Sequence, residues 1–140
     1  MDKLTKEKRS KVMASIRGKN TKPEIKIRKL VWAAGKRYRL HSKKIYGTPD
    51  LSNKKKRLAV FIDGCFWHGC PKCYKEPTSN VEFWRNKIIA NKMRREKVRK
   101  KLKTEKWHLL EFWEHEVNSN PETITRKIME NIKLKLEKNR

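Results

Sequence analysis

All the cysteines of this chain, three in number, fall within one short run, Phe61-Ile62-Asp63-Gly64-Cys65-Phe66-Trp67-His68-Gly69-Cys70-Pro71-Lys72-Cys73. Thiolates at a C-x4-C-x2-C spacing suit a soft, tetrahedral ion such as zinc, and a set of three cysteines usually takes its fourth ligand from a histidine. A metal site is therefore expected here, with a disulfide plus one free thiol as the alternative. Directly before it, Leu58 to Ile62 is an apolar run that reads as a buried strand. Asp63 and Gly64 then sit where a strand gives way to a loop, which is where α/β proteins keep their chemistry.

Charge narrows the partner. The 140 residues carry 39 Lys+Arg against 15 Asp+Glu, a formal net charge of +24, far beyond what solubility needs, so a polyanion is expected. Five tryptophans and 36% apolar residues argue for a folded domain and against a basic disordered tail. No stretch approaches 18 consecutive apolar residues and no signal-peptide core follows the N-terminus, which predicts a soluble, unexported protein. Nucleic acid is then favoured over a membrane surface, and clustered thiols in a reducing compartment bind metal in preference to pairing.

The length predicts one domain over 1–140, with a basic N-terminal helix over 1–18 that either docks weakly on the body or lies along DNA, and a catalytic core over 19–134. In the N-terminal helix Met13 is either a packing residue or an apolar wedge for a DNA groove. Thr21-Lys22-Pro23-Glu24 reads as a capping box opening an amphipathic helix with Ile27, Leu30, Val31 and Ala34 on one face and Gly35 as its stop. Lys36 to His41 alternates like a strand, and Pro49-Asp50 starts the next. With Leu58 to Ile62 as its return strand, Asn53 to Arg57 becomes a basic hairpin turn. Asp50 and Asp63 then approach each other across the pair, the geometry of a magnesium site at the end of a β-ribbon. Each aspartate also has an ordinary reading as a turn residue.

Ser79 and Glu82 read as a second capping box, opening a long helix to about Lys103. Its stripe of Trp84, Ile88, Val98 and Leu102 is interrupted by Asn91 and Arg95, polar residues that a core face tolerates only beside a site or water; both are assigned to DNA contact. Lys87, Lys92, Arg94, Lys97 and Arg99 make the rest of the helix a solvated face by default and, given the overall charge, a phosphate track. Trp107 to Glu114 reads as a strand with His115 at its end. Asn120-Pro121 opens a last helix along Ile124, Ile128 and Ile132, with Lys135 to Arg140 fraying. On local grounds His68 and His115 are equal candidates for the fourth zinc ligand, the other then being free for proton transfer. His41 and His108 read as ordinary surface or strand histidines.

Five blocks in order, Thr21-Lys22-Pro23-Glu24, Gly47-Thr48-Pro49-Asp50, Val60 to Cys70, Glu82-Phe83-Trp84 leading to Asn91, and Trp113-Glu114-His115-Glu116, resemble the very-short-patch repair (Vsr) DNA mismatch endonucleases. The resemblance implies a restriction-endonuclease-like α/β fold, a mixed β-sheet flanked by helices with a structural zinc site, and a magnesium-dependent nick 5′ to the thymine of a T·G mismatch in double-stranded DNA. By residue, it implies Asp50 and the backbone carbonyl of Ile62 as magnesium ligands, His68 as the catalytic histidine, and Glu24 as a carboxylate reaching the metal through water. Asp63 falls where the family carries an acid or a histidine. It also implies zinc on Cys65, Cys70, Cys73 and His115, and aromatic wedges at Phe66, Trp67 and Trp84, with Met13 from the other groove. Cys73 departs from the histidine that many relatives carry.

The expected activity is thus mismatch-directed DNA nicking by a monomer, with mismatch-repair proteins as candidate partners. Two rivals remain open at this level: a restriction-type nuclease without a mismatch requirement, and a zinc-stabilised DNA-binding protein without catalysis, which would need neither Asp50 nor His68.

Overall fold

A computed structural model describes residues 21–138; the N-terminal helix expected over 1–18, and Met13 within it, lie outside the described residues. Helix α1 (Lys22–Ala33) carries Pro23 in its first turn and buries Ile27 and Val31, one turn apart. Strands β1 (Arg39–Leu40), β2 (Leu51–Asn53) and β3 (Leu58–Asp63) follow, then α2 (Val81–Thr104), β4 (His108–Trp113), α3 (Glu114–Ser119) and α4 (Pro121–Lys138). The last helix runs past the expected fraying point at Lys135.

The strands form one mixed sheet in the order β1-β2-β3-β4. β1, β2 and β3 are successively antiparallel, with Leu51 opposite Val60 and Asn53 opposite Leu58 across the basic hairpin turn. β4 returns parallel to β3, pairing Leu58 with His108 through to Asp63 with Trp113; the long α2 supplies the crossover that a parallel pair requires. All six residues of β3 are buried, as a central strand covered on both faces demands.

Alternation along β3 sorts the two cores. Leu58, Val60 and Ile62 face Ile27 and Val31 of α1, Val117 of α3 and the Ile124, Ile128 and Ile132 stripe of α4. Ala59 and Phe61 face Val98 and Leu102 of α2, with Ile45 beside them. This is the helix-sheet-helix sandwich expected of a restriction-endonuclease-like fold. Each buried aliphatic side chain contributes on the order of 1.5–3 kcal/mol of transfer free energy. Asp63 continues the α2 side of β3, so its carboxylate emerges where helix and strand end meet.

Neither expected capping box forms. Thr21 makes no side-chain cap bond, and Glu24, instead of folding back on the helix start, is turned inward and 1% exposed. α2 starts at Val81 behind Asn80 in a left-handed conformation (φ 54°), again without a side-chain cap. Asparagine tolerates that backbone better than most residues. Gly47 (φ +86°) brings the chain before β2 directly onto α2: a Cβ there would lie 2.6 Å from a methyl of Val98.

Candidate active site and metal clamp

The Cys65–Cys73 loop folds back on itself through backbone bonds, with the Cys70 N–H donating to the Cys65 carbonyl at 2.8 Å and the His68 N–H to the Gly64 carbonyl at 3.2 Å. These turns bring three sulfurs around one nitrogen: His115 Nδ1 lies 3.3 Å from Cys65 Sγ, 3.5 Å from Cys70 Sγ and 3.3 Å from Cys73 Sγ. Bonds of about 2.3 Å to sulfur and 2.0 Å to nitrogen in a tetrahedral zinc site imply a nitrogen-sulfur edge of about 3.5 Å. The four donors therefore fit such an ion. Burial, reinforced by the neighbouring Cys73 and Cys70 sulfurs, pushes the Cys65 thiol up to about 12, so a bound cation would supply the charge compensation its thiolate needs. His115 opens α3 immediately after β4, and the cluster ties the loop after β3 to the end of its parallel neighbour. His68 is not part of it.

The loop also rests on α2. Gly69 adopts φ +62°, and a Cβ there would lie 2.6 Å from Lys92 Cε and 2.8 Å from Ile88 Cγ2. Asn91 Nδ2 donates to the Trp67 carbonyl at 2.8 Å, and Arg94 donates to the Asn91 side-chain oxygen at 3.1 Å. The polar interruption of the α2 stripe thus has a partner: a loop with backbone groups to satisfy.

Arg95 is the second interruption. Its guanidinium grips Asp63 through two nitrogens at 2.5 and 2.8 Å and lies over the Phe61 ring, 4.1 Å from its centroid. On the other side of Asp63, His68 Nε2 stands 3.7 Å from the carboxylate. Burial lowers the His68 pKa, partly opposed by Asp63, which favours a neutral imidazole able to accept a proton. His68 borders two open cavities. One, of about 270 Å³, is also lined by Asp63, Lys92 and Arg95, and the other, of about 230 Å³, by Tyr46, Asn91 and Arg94. Cationic side chains thus border the imidazole, interspersed with the carboxylates of Asp63 and Glu96.

Asp50 lies on the far side of the β2–β3 edge. The β2 ladder begins at Leu51, so the Ile62 amide lies beyond it; that N–H donates instead to Asp50 Oδ2 at 2.7 Å. Burial, reinforced by the Glu24 and Asp63 carboxylates, pushes the Asp50 pKa up to about 7 despite this bond. Glu24 reaches the same point from α1, and His41 from the loop after β1. His41 Nε2 contacts Glu24 Oε1 and stands 3.7 Å from Asp50 Oδ1. Glu24, His41 and Asp50 form a compact donor cluster. His41 is the residue that sequence reasoning missed: it lies in no motif, and its position depends on a left-handed backbone at φ 45°.

Phe66 centres an aromatic cluster, its ring centroid 5.3 Å from Trp67, 5.3 Å from Trp84 and 5.8 Å from Tyr74. Phe83 extends the cluster, 5.1 Å from Trp84, and is 60% exposed. These rings stand apart from both sheet cores and are partly accessible, the arrangement of a stacking surface more than of a core.

A mixed sheet sandwiched by helices, carrying acidic and imidazole groups at its edge beneath a strongly basic exterior, defines a DNA endonuclease. The family model described as DNA mismatch endonuclease Vsr matches residues 1–75, and the chain belongs to this family. It is 44% identical over 135 residues to the Type II nicking enzyme V.HpaIIP of Haemophilus parainfluenzae, covering 94% of this chain and 96% of that one. It is 43% identical over 135 residues to the Type II nicking enzyme V.NmeDIP of Neisseria meningitidis serogroup C, covering 95% and 91%. Identity to the DNA mismatch endonuclease Vsr of Escherichia coli (strain K12) is 34% over 115 residues, covering 81% and 71%. Among the described residues, no helix is long and apolar enough to cross a membrane.

Proposed function

We propose that this endonuclease nicks one strand of duplex DNA 5′ to the thymine of a T·G mismatch, with a catalytic magnesium ion near Asp50 and a structural zinc ion in the cysteine-histidine clamp. The observation that carries the reading is the joining of Phe66-Trp67 to His68 in one clamped loop beside Asp63, whose chain neighbour Ile62 donates its amide to Asp50. Aromatic faces suited to stacking on bases thereby adjoin the groups suited to phosphodiester hydrolysis.

In this reading Asp50 and the Ile62 backbone carbonyl hold magnesium, with Glu24 acting through water. An ion bound there supplies charge neutralisation at the scissile phosphate and a more acidic water. His68, neutral through burial, takes up the proton of the attacking water, while Asp63 and Arg95 fix its surroundings. Phe66, Trp67 and Trp84, with Met13 from the N-terminal segment, wedge into the duplex. Opening a base step costs a few kcal/mol, less at a mismatch, and each base stacked on a ring returns about 1–3 kcal/mol. Cutting then depends on a locally weak pair. Asn91 and Arg95 serve DNA contact through the loop and carboxylate they position. The enzyme works as a single-domain monomer in the bacterial cytoplasm, at the nucleoid, with mismatch-repair proteins as partners.

A second reading, nicking without a mismatch requirement, draws on the printed names of the relatives, several of which are called Type II nicking enzymes. The test is to incubate two labelled duplexes, identical except for a T·G or a T·A pair, with protein and magnesium at moderate salt. Cutting confined to the T strand of the mismatched duplex is expected. Equal cutting of both establishes the second reading, and binding without cutting removes the assigned chemistry.

A further inference from the structure

His41 has no place in the reading above, yet its imidazole sits between the two carboxylates that surround the proposed magnesium position. Three features set it apart from a surface histidine. Its backbone is held at φ 45°, a conformation that is unfavourable for a non-glycine residue and persists only where surroundings impose it. Its Nε2 is buried and makes no hydrogen bond of proper geometry. That atom nonetheless contacts Glu24 Oε1 and lies 3.7 Å from Asp50 Oδ1, so three donor atoms from α1, the loop after β1 and the start of β2 converge on one point. Adjacent ligands around a six-coordinate ion with bonds near 2.1 Å lie about 3 Å apart, and opposite ones about 4.2 Å. The three donor atoms all lie within 4.8 Å of one another, within reach of one ion after small side-chain adjustments.

We propose that Glu24, His41 and Asp50 together form one divalent-cation site in which the His41 imidazole is a direct ligand, and that the site consequently binds manganese(II) more tightly than the magnesium it also accepts. The inference rests on the proposed metal position at Asp50 and adds a donor to it. The chemical reason lies in the donor set. Magnesium demands hard oxygen ligands and near-ideal octahedral geometry, whereas a first-row transition ion accepts an imidazole nitrogen beside carboxylates. A nitrogen in the first coordination sphere therefore discriminates between two ions of the same charge. Residue 41, just past the end of β1, combines a left-handed backbone with a ring in contact with Glu24.

Manganese binding to the zinc-loaded, DNA-free full chain tests this by electron paramagnetic resonance, with magnesium as competitor. One manganese per chain is expected, with a nitrogen-14 coupling in the echo-modulation spectrum. His41→Gln is expected to remove that coupling and weaken manganese by at least about tenfold, while magnesium affinity changes much less. His68→Gln should retain the coupling. Bound manganese without nitrogen coupling in the wild-type chain overturns the proposal, as does an equal loss of both ions in His41→Gln, which would mark His41 as merely positioning Glu24. Zinc stoichiometry and melting temperature of each variant report whether it is folded, and the wild-type spectrum decides the matter without any variant. If the wild-type chain binds neither ion, or Asp50→Ala leaves binding intact, the metal position at Asp50 itself fails, a result distinct from failure of the histidine ligand.

Discussion

Arg95 holds Asp63 with two guanidinium nitrogens, at 2.5 and 2.8 Å, and both side chains are about nine-tenths buried. Breaking one half of such a pair leaves an uncompensated charge at the strand end. Arg95→Ala is expected to destabilise the protein by about 3–5 kcal/mol in urea unfolding. Arg95 is also one of the groups that lower the His68 pKa, so the imidazole should titrate at higher pH in the variant, as read by NMR. A stable variant with an unmoved His68 would remove Arg95 from this role.

Removing the clamp ion should matter more than any single contact. Structural zinc contributes roughly 10–16 kcal/mol of apparent binding free energy in small domains, against total stabilities of about 5–15. Chelation, or His115→Ala, is therefore expected to release the metal and abolish cooperative melting, measured by elemental analysis and calorimetry. Stoichiometric zinc and a normal melting temperature in His115→Ala would reassign the fourth ligand.

Acidification should act through Asp50. Its folded pKa, about 7 in the absence of metal against an ordinary value of 3.8, means that the folded chain holds a proton which the unfolded chain has lost between those values. The contribution of Asp50 to stability is thus fully present below about pH 4 and lost as pH rises through 7. Metal-free protein should become less stable across that window, and Asp50→Asn should flatten the dependence. Divalent-cation affinity should fall about tenfold per unit of pH below 7, because binding must displace the proton. Titration calorimetry in buffers of different ionisation enthalpy would detect the released proton; its absence at pH 6 contradicts the assignment.

Asp50→Ala and His68→Ala are expected to lose nicking while keeping most DNA affinity. For His68 the loss should be about 10²–10⁴-fold, the usual worth of a positioned acid-base group. Normal nicking by either variant would overturn the corresponding role. Gly69→Ala, by contrast, should act through packing: its new Cβ meets Ile88 and Lys92 of α2, displacing the loop and lowering both the melting temperature and the nicking rate.

Periodicity made much of this architecture readable. Ile27 and Val31, the α2 stripe and the isoleucines of α4 each announced a face, and the basic hairpin between β2 and β3 was legible, but its two aspartates do not form the expected pair: Asp50 joins Glu24 and His41, whereas Asp63 joins Arg95 and His68. Asn91 and Arg95 were legible as exceptions before their partners were known, since an apolar face does not carry an amide and a guanidinium without cause. Local spacing could not choose between His68 and His115, because the geometry depends on the parallel register of β3 and β4. The cap motifs at Thr21 and Ser79 misled for a related reason: a carboxylate at the third helical position serves a cap only when nothing inside the fold attracts it, and Glu24 has His41 and Asp50. His41 was invisible because its role is created by a backbone conformation that no side-chain pattern encodes.

Trp67 and His68 are successive residues, and Asn91 tethers the carbonyl of the first. Their Cα atoms are therefore about 3.8 Å apart across a planar linkage. Under the reading proposed above, a Trp67 ring that fails to seat against a well-paired helix would strain the peptide plane it shares with His68, so that testing a base pair and placing the imidazole would be coupled through one amide and not through a separate sensor.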